Sequence, residues 1–181
     1  MSTPLILSKL LTAPLFPRGQ ALDMIPGLGV CNFGSWVKAR IVTPMEASRG
    51  KGRAASYSPH DIIQFATIHE LARQGFPLRC ARLVWLTVVL PRLMERCHRP
   101  DDPADMAALL VPHAASGEVV HRPLRESGGD AGLDHPKAPN VFTVFRVDAH
   151  LDFYAARISA VLHGEADPIT EPHARVAEAA A

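Results

Sequence analysis

The stretch from residue 36 to residue 75 constrains the fold of this chain more than any other part of the sequence. It contains a loop rich in arginine, lysine and glycine at 49–53, followed by the dipeptide Ser58-Pro59. Serine at a cap position with proline in the first turn is a typical helix start, and Gly75 provides a typical helix end. The predicted order is a short helix, a hairpin that carries the basic loop, and a longer helix.

The short helix is expected over 32–39, with Phe33 and Trp36 facing the core. The hairpin strands are predicted at 41–43, which is β-prone, and at 54–57, which would be the return strand. Together these elements indicate a winged helix-turn-helix, a fold that binds double-stranded DNA.

Two apolar helices are predicted after the hairpin. The first has Asp61 in its first turn and a broad apolar face, formed by Ile62, Phe65, Ala66, Ile68 and Ala72. The second is expected over 77–90. Because 84–90 is apolar on nearly every side, something must bury it, and Pro91 is expected to end or kink it.

Short strands and one amphipathic helix are predicted in the C-terminal part. The strands fall at 107–111, 118–122 and 141–147, and the last is apolar on both faces, so we expect it to be central or covered. Asp148 is expected to cap a helix with one apolar side, formed by Leu151, Tyr154, Ala155, Ile158, Val161 and Leu162.

These elements predict an α+β fold, with an N-terminal winged helix-turn-helix followed by a small α/β C-terminal element. The expected divisions are an N-terminal arm at 1–20, the DNA-binding domain at 21–99, an oligomerisation or sensing domain at 100–163, and a disordered tail at 164–181.

Charge is distributed unevenly along a chain whose formal net charge is only +1. Residues 36–99 contain 11 Lys/Arg and 4 Asp/Glu, a net of +7. Residues 100–181 contain 6 Lys/Arg and 13 Asp/Glu, a net of −7. A basic block of this kind is typical of a nucleic-acid-binding module, although a solvated basic face with no partner would give the same count.

Other functional classes find little support in the sequence. The 3 cysteines are widely spaced and the 9 histidines lack ligand spacing, so we expect neither a metal site nor another cofactor. No nucleophile–base or phosphate-binding motif is present, which argues against an enzyme. The N-terminus lacks signal-peptide character and the apolar run 83–90 is too short to cross a bilayer, so we expect a soluble, cytoplasmic protein.

Residues from about 22 to 90 resemble the DNA-binding domain of the MerR family of bacterial regulators. The similarity lies in WVKARIVTP at 36–44, the wing at 49–57 and the two helices that follow from Ser58. Excisionases and small terminase subunits of phages use similar winged helices, so the resemblance implies DNA binding more firmly than transcription control. Arg40 replaces the glycine usual in the family, and no heptad repeat for a dimerising coiled coil follows Pro100.

The candidate DNA contacts follow from this arrangement. Lys38 and Arg40 are expected to contact the groove or the backbone, with Ser35 on the same outward face. Asn32 has the side chain for reading adenine, but capping the short helix is the use that we expect of it. The cations of the wing should supply affinity and salt sensitivity rather than sequence choice; they are Arg49, Lys51 and Arg53. Tyr57 either donates its hydroxyl to a phosphate or anchors the wing.

The sequence therefore predicts a double-stranded-DNA-binding protein, most simply a bacterial or phage transcriptional regulator. An architectural role in excision, packaging or partition is the first alternative, and an interaction module that has lost DNA binding is the second. A homodimer or a cooperative oligomer is expected, through the stretch 84–90 or the face 151–162. Another protein could also bind the C-terminal part, and no membrane partner is expected.

Overall fold

A computed structural model describes residues 11–45, 55–99, 107–112, 119–124 and 143–164. Its helices and strands follow one another in the order β1 (Phe16–Pro17), α1 (Arg18–Asp23), α2 (Val30–Lys38), β2 (Ser56–Tyr57), α3 (Pro59–Arg73), α4 (Leu78–Val84), a π-helical turn (Trp85–Val89), α5 (Leu90–His98), β3 (Ala107–Pro112), β4 (Val119–Leu124), β5 (Thr143–Arg146) and α6 (Val147–His163). This mostly helical chain with small antiparallel sheets agrees with the α+β class.

The strand pairing near the N-terminus differs from the predicted hairpin. β2 pairs antiparallel with β1, so that Phe16 lies opposite Tyr57. Residues 41–43 form no strand, which makes that prediction wrong. The backbone amides of Ile41 and Val42 both donate to the Trp36 carbonyl, at 2.9 and 3.3 Å. These residues are therefore used to close the end of α2 and cannot also form a ladder.

The short helix α2 begins two residues earlier than predicted. Gly29 occupies its N-cap position in an extended conformation, without a side-chain cap bond. Asn32 therefore lies inside the first turn, and the prediction that it caps the helix is wrong. Phe33 and Trp36 are buried as expected.

The start of α3 was predicted correctly. The Ser58 hydroxyl accepts from the Asp61 amide at 3.2 Å, and the Asp61 carboxylate accepts from the Ser58 amide at 2.9 Å, which completes a capping box. Pro59 fills the first helical position. The helix ends as predicted before Gly75, whose φ of +90° places it in the left-handed region.

The helical path continues through Pro91 instead of ending there. A π-helical turn at Trp85–Val89 separates α4 from α5. Proline lacks an amide hydrogen, and its ring clashes with the carbonyl four residues earlier, here that of Thr87. A wider turn directly before Pro91 relieves that clash, so the helix continues to His98.

Two predictions for the C-terminal part change. Among the described strands, the antiparallel sheet has the order β4-β3-β5, so β5 lies at an edge: it is not central, and of the two alternatives only a covered strand remains. The chain enters α6 at Val147, and Phe145 at the end of β5 is buried in the core. Asp148 is not the cap of α6 but a buried carboxylate that pairs with Arg92 on α5.

The core surrounds α3. Phe65 stacks on Phe33 of α2 at a centroid distance of 4.0 Å, while Ile63 faces the C-terminal helix. Buried residues of α6 join the same hydrophobic cluster, namely Leu151, Tyr154 and Ile158. The predicted self-association face 151–162 is therefore largely used within the chain. Across the described segments, no helix is both long and apolar enough to cross a membrane.

Candidate nucleic-acid interface

The helix α2 is held to the core by two aromatic residues on one side. Phe33 is 1% exposed and Trp36 is 6% exposed. The Phe33 ring stacks on Phe65 with an interplanar angle of 8° and meets the Tyr57 ring edge-on at 4.9 Å. Because these contacts fix the rotation of α2 about its axis, they determine which of its residues face solvent.

The opposite side of α2 is exposed and, apart from Cys31, polar. It carries three of the predicted DNA contacts, Asn32, Ser35 and Lys38, and the fourth, Arg40, follows directly after the helix. The Ser35 hydroxyl donates to the Asn32 backbone carbonyl at 3.0 Å, and the Asn32 residue itself is exposed. The four exposed side chains present an amide, a hydroxyl and two cations along one short helix and its end.

Arg40 occupies the tight turn that ends α2. Its φ of 56° lies in the left-handed region, where glycine is favoured and other residues carry a conformational cost. The turn is closed by the amide of Arg40, which donates to the Val37 carbonyl at 3.1 Å. A charged residue therefore stands where the backbone favours glycine, and its guanidinium is exposed beside Lys38.

Sequence reasoning missed Arg18, an exposed cation at the start of α1. Its guanidinium donates to the Val30 carbonyl at 3.0 Å and lies over the Phe33 ring, 5.7 Å from the centroid. The N-terminal side of α2 therefore also has a cation beside it. Arg18 precedes Val30 by 12 residues, and since no local motif links them, only the folded arrangement reveals the contact.

Tyr57, one of the predicted DNA contacts, is buried in the structure. It is only 5% exposed, and burial raises the pKa of its hydroxyl, an effect that the nearby Arg18 partly offsets. Its ring packs against Phe33 and Phe65. A phosphate contact would require the ring to leave the core, so its structural role is the one that the geometry favours.

The remaining predicted contacts belong to the basic loop. Arg49, Lys51 and Arg53 lie outside the described residues, so their roles stay predictions.

Acidic residues of the C-terminal part neutralise a different set of cations. Asp148 of α6 accepts hydrogen bonds from the Arg92 guanidinium on both of its carboxylate oxygens, the shortest to each being 3.0 Å. One turn later, Asp152 pairs with Arg96 at 2.7 Å. Both arginines lie on α5. These ion pairs tie α6 to α5, and they lie on other elements than the exposed face of α2.

A separate cavity of about 240 Å³ lies between α3, α5 and α6. Its walls are mostly apolar, with one ion pair and one thiol, and are formed by Ile63, Leu93, Arg96, Cys97, Leu151, Asp152, Ala155 and Ala156. Burial raises the pKa of the Cys97 thiol, which keeps it protonated and a poor nucleophile. Within the described segments, no three His, Cys, Asp or Glu residues come together as metal ligands.

Two comparisons with known proteins found no match. No protein-family model matches the chain, and a search of curated proteins also found no match.

Proposed function

We propose that this protein binds double-stranded DNA in a sequence-specific manner, with the exposed face of α2 in the major groove. Transcription regulation is the role that we propose for this binding, on the resemblance of residues 22–90 to MerR-type domains. The observation that carries the proposal is the polar face of α2, anchored from behind by Phe33 and Trp36.

The dimensions of α2 suit a major groove. An α-helix with its side chains is about 10–12 Å across, which suits a groove about 12 Å wide, and the 9 residues of α2 extend about 14 Å along the helix axis. Another helix, α1, precedes it after a turn at 24–29, which is the order of a helix-turn-helix.

The side chains on this face have complementary roles. Lys38 and Arg40 carry the positive charge that phosphates attract, and Arg18 adds a cation at the other end of α2. Asn32 can form paired hydrogen bonds with adenine in the major groove, because it no longer has a capping role. Affinity and base choice would thus come from different residues in and around α2.

Fluorescence anisotropy with a random duplex, measured over a series of salt concentrations, tests this function. Each phosphate contact contributes about −0.9 to the slope of log K against log salt. We expect Lys38→Ala combined with Arg40→Ala to reduce the steepness of that slope by about 2, and to lower affinity at low salt by at least about tenfold.

Arg73→Ala is the matched control. Arg73 is also an exposed cation, with 57% of its side chain accessible, but it lies at the far end of α3. Its loss should leave the slope unchanged. Equal effects of the two variants would reject α2 as the interface, and failure of the unaltered protein to bind duplex at low salt would reject the function.

A further inference from the structure

The continuous helical path from α4 to α5 has an exposed apolar stripe. Leu83, Leu86 and Met94 are 38%, 45% and 42% exposed, and contiguous exposed apolar side chains mark interaction surfaces. Half-buried Leu90 lies between them. These four residues, which we call the Leu83–Met94 stripe, recur at intervals of three or four, so they follow one side of the helix.

We propose that the Leu83–Met94 stripe binds a second copy of this chain, with the two helices antiparallel about a two-fold axis. This inference concerns self-association alone and does not depend on DNA binding.

The order of residues along the stripe is self-complementary. An antiparallel pairing that sets Leu83 against Met94 of the second copy brings Leu86 within one residue of Leu90 of the second copy, an axial offset of about 1.5 Å. A two-fold interface requires this property, because each surface must fit itself after rotation. Apolar side chains would therefore meet apolar side chains along the whole stripe.

Charges beside the stripe fit the same register. The pairing that joins Leu83 to Met94 places Arg82 opposite Glu95 of the second copy. Both are exposed, and the Glu95 side chain remains 48% accessible although one of its oxygens accepts from Arg92 at 2.8 Å. A parallel pairing would instead place Arg82 beside Arg82 and Glu95 beside Glu95, so charge favours the antiparallel arrangement.

The size of this surface predicts a weak dimer. The helical path from Leu78 to His98 is about 30 Å long. A single pair of such helices buries less than the area of about 800 Å² per partner that is typical of stable complexes. We therefore expect a dissociation constant in the micromolar range.

Sedimentation equilibrium of the full chain without DNA, from low to high micromolar concentration, measures this association. Leu86→Glu introduces a charge at the centre of the stripe and should raise the dissociation constant at least about tenfold. Leu86 is already 45% exposed, so the variant should fold, and its melting temperature verifies that.

Val30→Glu is the control for an added charge on an exposed apolar residue. Val30 is 59% exposed and lies on α2, away from the stripe. It should leave the dissociation constant unchanged. A chain that stays monomeric at every concentration would overturn the proposal, and a different protein would then be the partner of the stripe. Equal weakening of self-association by Leu86→Glu and Val30→Glu would also overturn it.

Cross-linking with a short bis-maleimide, in a background that carries both Cys31→Ser and Cys97→Ser, tests the antiparallel direction separately. In the proposed register, the two copies of position 87 lie about 5 Å apart along the helix axis, whereas those of position 79 lie about 28 Å apart. We expect Thr87→Cys to cross-link and Arg79→Cys not to do so. Efficient cross-linking at position 79 would overturn the antiparallel register.

Discussion

Replacing Asp148 with alanine should destabilise this fold far more than replacing Asp152, although both carboxylates belong to α6 and both pair with arginines of α5. Asp148 accepts from the Arg92 guanidinium at 3.0 Å, and the two side chains are only 6% and 4% exposed. Asp152 pairs with Arg96 at 2.7 Å but remains 63% exposed. The distances are similar, but Asp148 is buried and also lies 3.6 Å from Arg96, so the pairs differ in burial and in the number of partners.

The expected magnitudes follow from this difference in burial. Removing one partner of a buried ion pair leaves the other charge without compensation and costs about 3–5 kcal/mol. Arg92 keeps its bond to Glu95, so we expect Asp148→Ala to cost about 3 kcal/mol, the lower end of that range. Exposed pairs contribute about 0–1 kcal/mol, which is our expectation for Asp152→Ala.

Equilibrium urea unfolding, followed by circular dichroism, gives both free energies of unfolding on one scale. Asp148→Asn is a useful second variant, because it keeps the size of the side chain but removes the charge that Arg92 requires. It should resemble Asp148→Ala more closely than the wild type. If the Asp148 and Asp152 variants lost the same stability, the assignment of the pair with Arg92 as the buried tie between α5 and α6 would be refuted.

Three further predictions concern the N-terminal part. Arg40→Gly should be more stable than Arg40→Ala by about 1 kcal/mol in urea unfolding, because φ at this position is 56°, and equal stability would contradict the left-handed turn. Burial lowers the pKa of His69 below 6.5, and this effect outweighs the opposite effect of its hydrogen bond to the Pro26 carbonyl. The stabilisation that the neutral His69 side chain gives the fold is therefore complete above pH 6.5 and is lost as the pH falls through the folded-state pKa. The His69→Gln variant should therefore lose less stability than the wild type on acidification, and parallel pH profiles would be inconsistent with a half-buried neutral imidazole. Replacing the three loop cations Arg49, Lys51 and Arg53 with alanine should weaken binding to all duplex sequences alike and flatten the salt dependence of the affinity. Unchanged affinity would exclude the loop from DNA binding.

Features set by neighbouring residues could be predicted from the sequence. The start of α3 depends on Ser58 and Asp61, three residues apart, and its end depends on Gly75. The burial of Trp36 followed from its position on the apolar side of a short helix. In each case the determining contacts lie within a turn or two of the chain, so a local pattern is sufficient.

Features set by distant residues could not be predicted. Residues 41–43 have strand propensity, but the end of α2 uses their amides, and β2 finds its partner in Phe16–Pro17. Asp148 looked like a cap because it precedes an amphipathic helix, yet its partner Arg92 is 56 residues earlier. Arg18 was missed for the same reason. Propensity describes what a segment can do, while tertiary contacts decide which option is taken.

Chemical-shift mapping of backbone amides during titration with a duplex tests the central claim most directly. If α2 binds DNA, the largest shifts should fall on its exposed face and the turn after it, at Asn32, Ser35, Lys38 and Arg40, and should diminish as salt is added. The amides of α5 and α6 should shift little. Shifts concentrated on α5 and α6, or no shifts at low salt, would contradict the proposed interface.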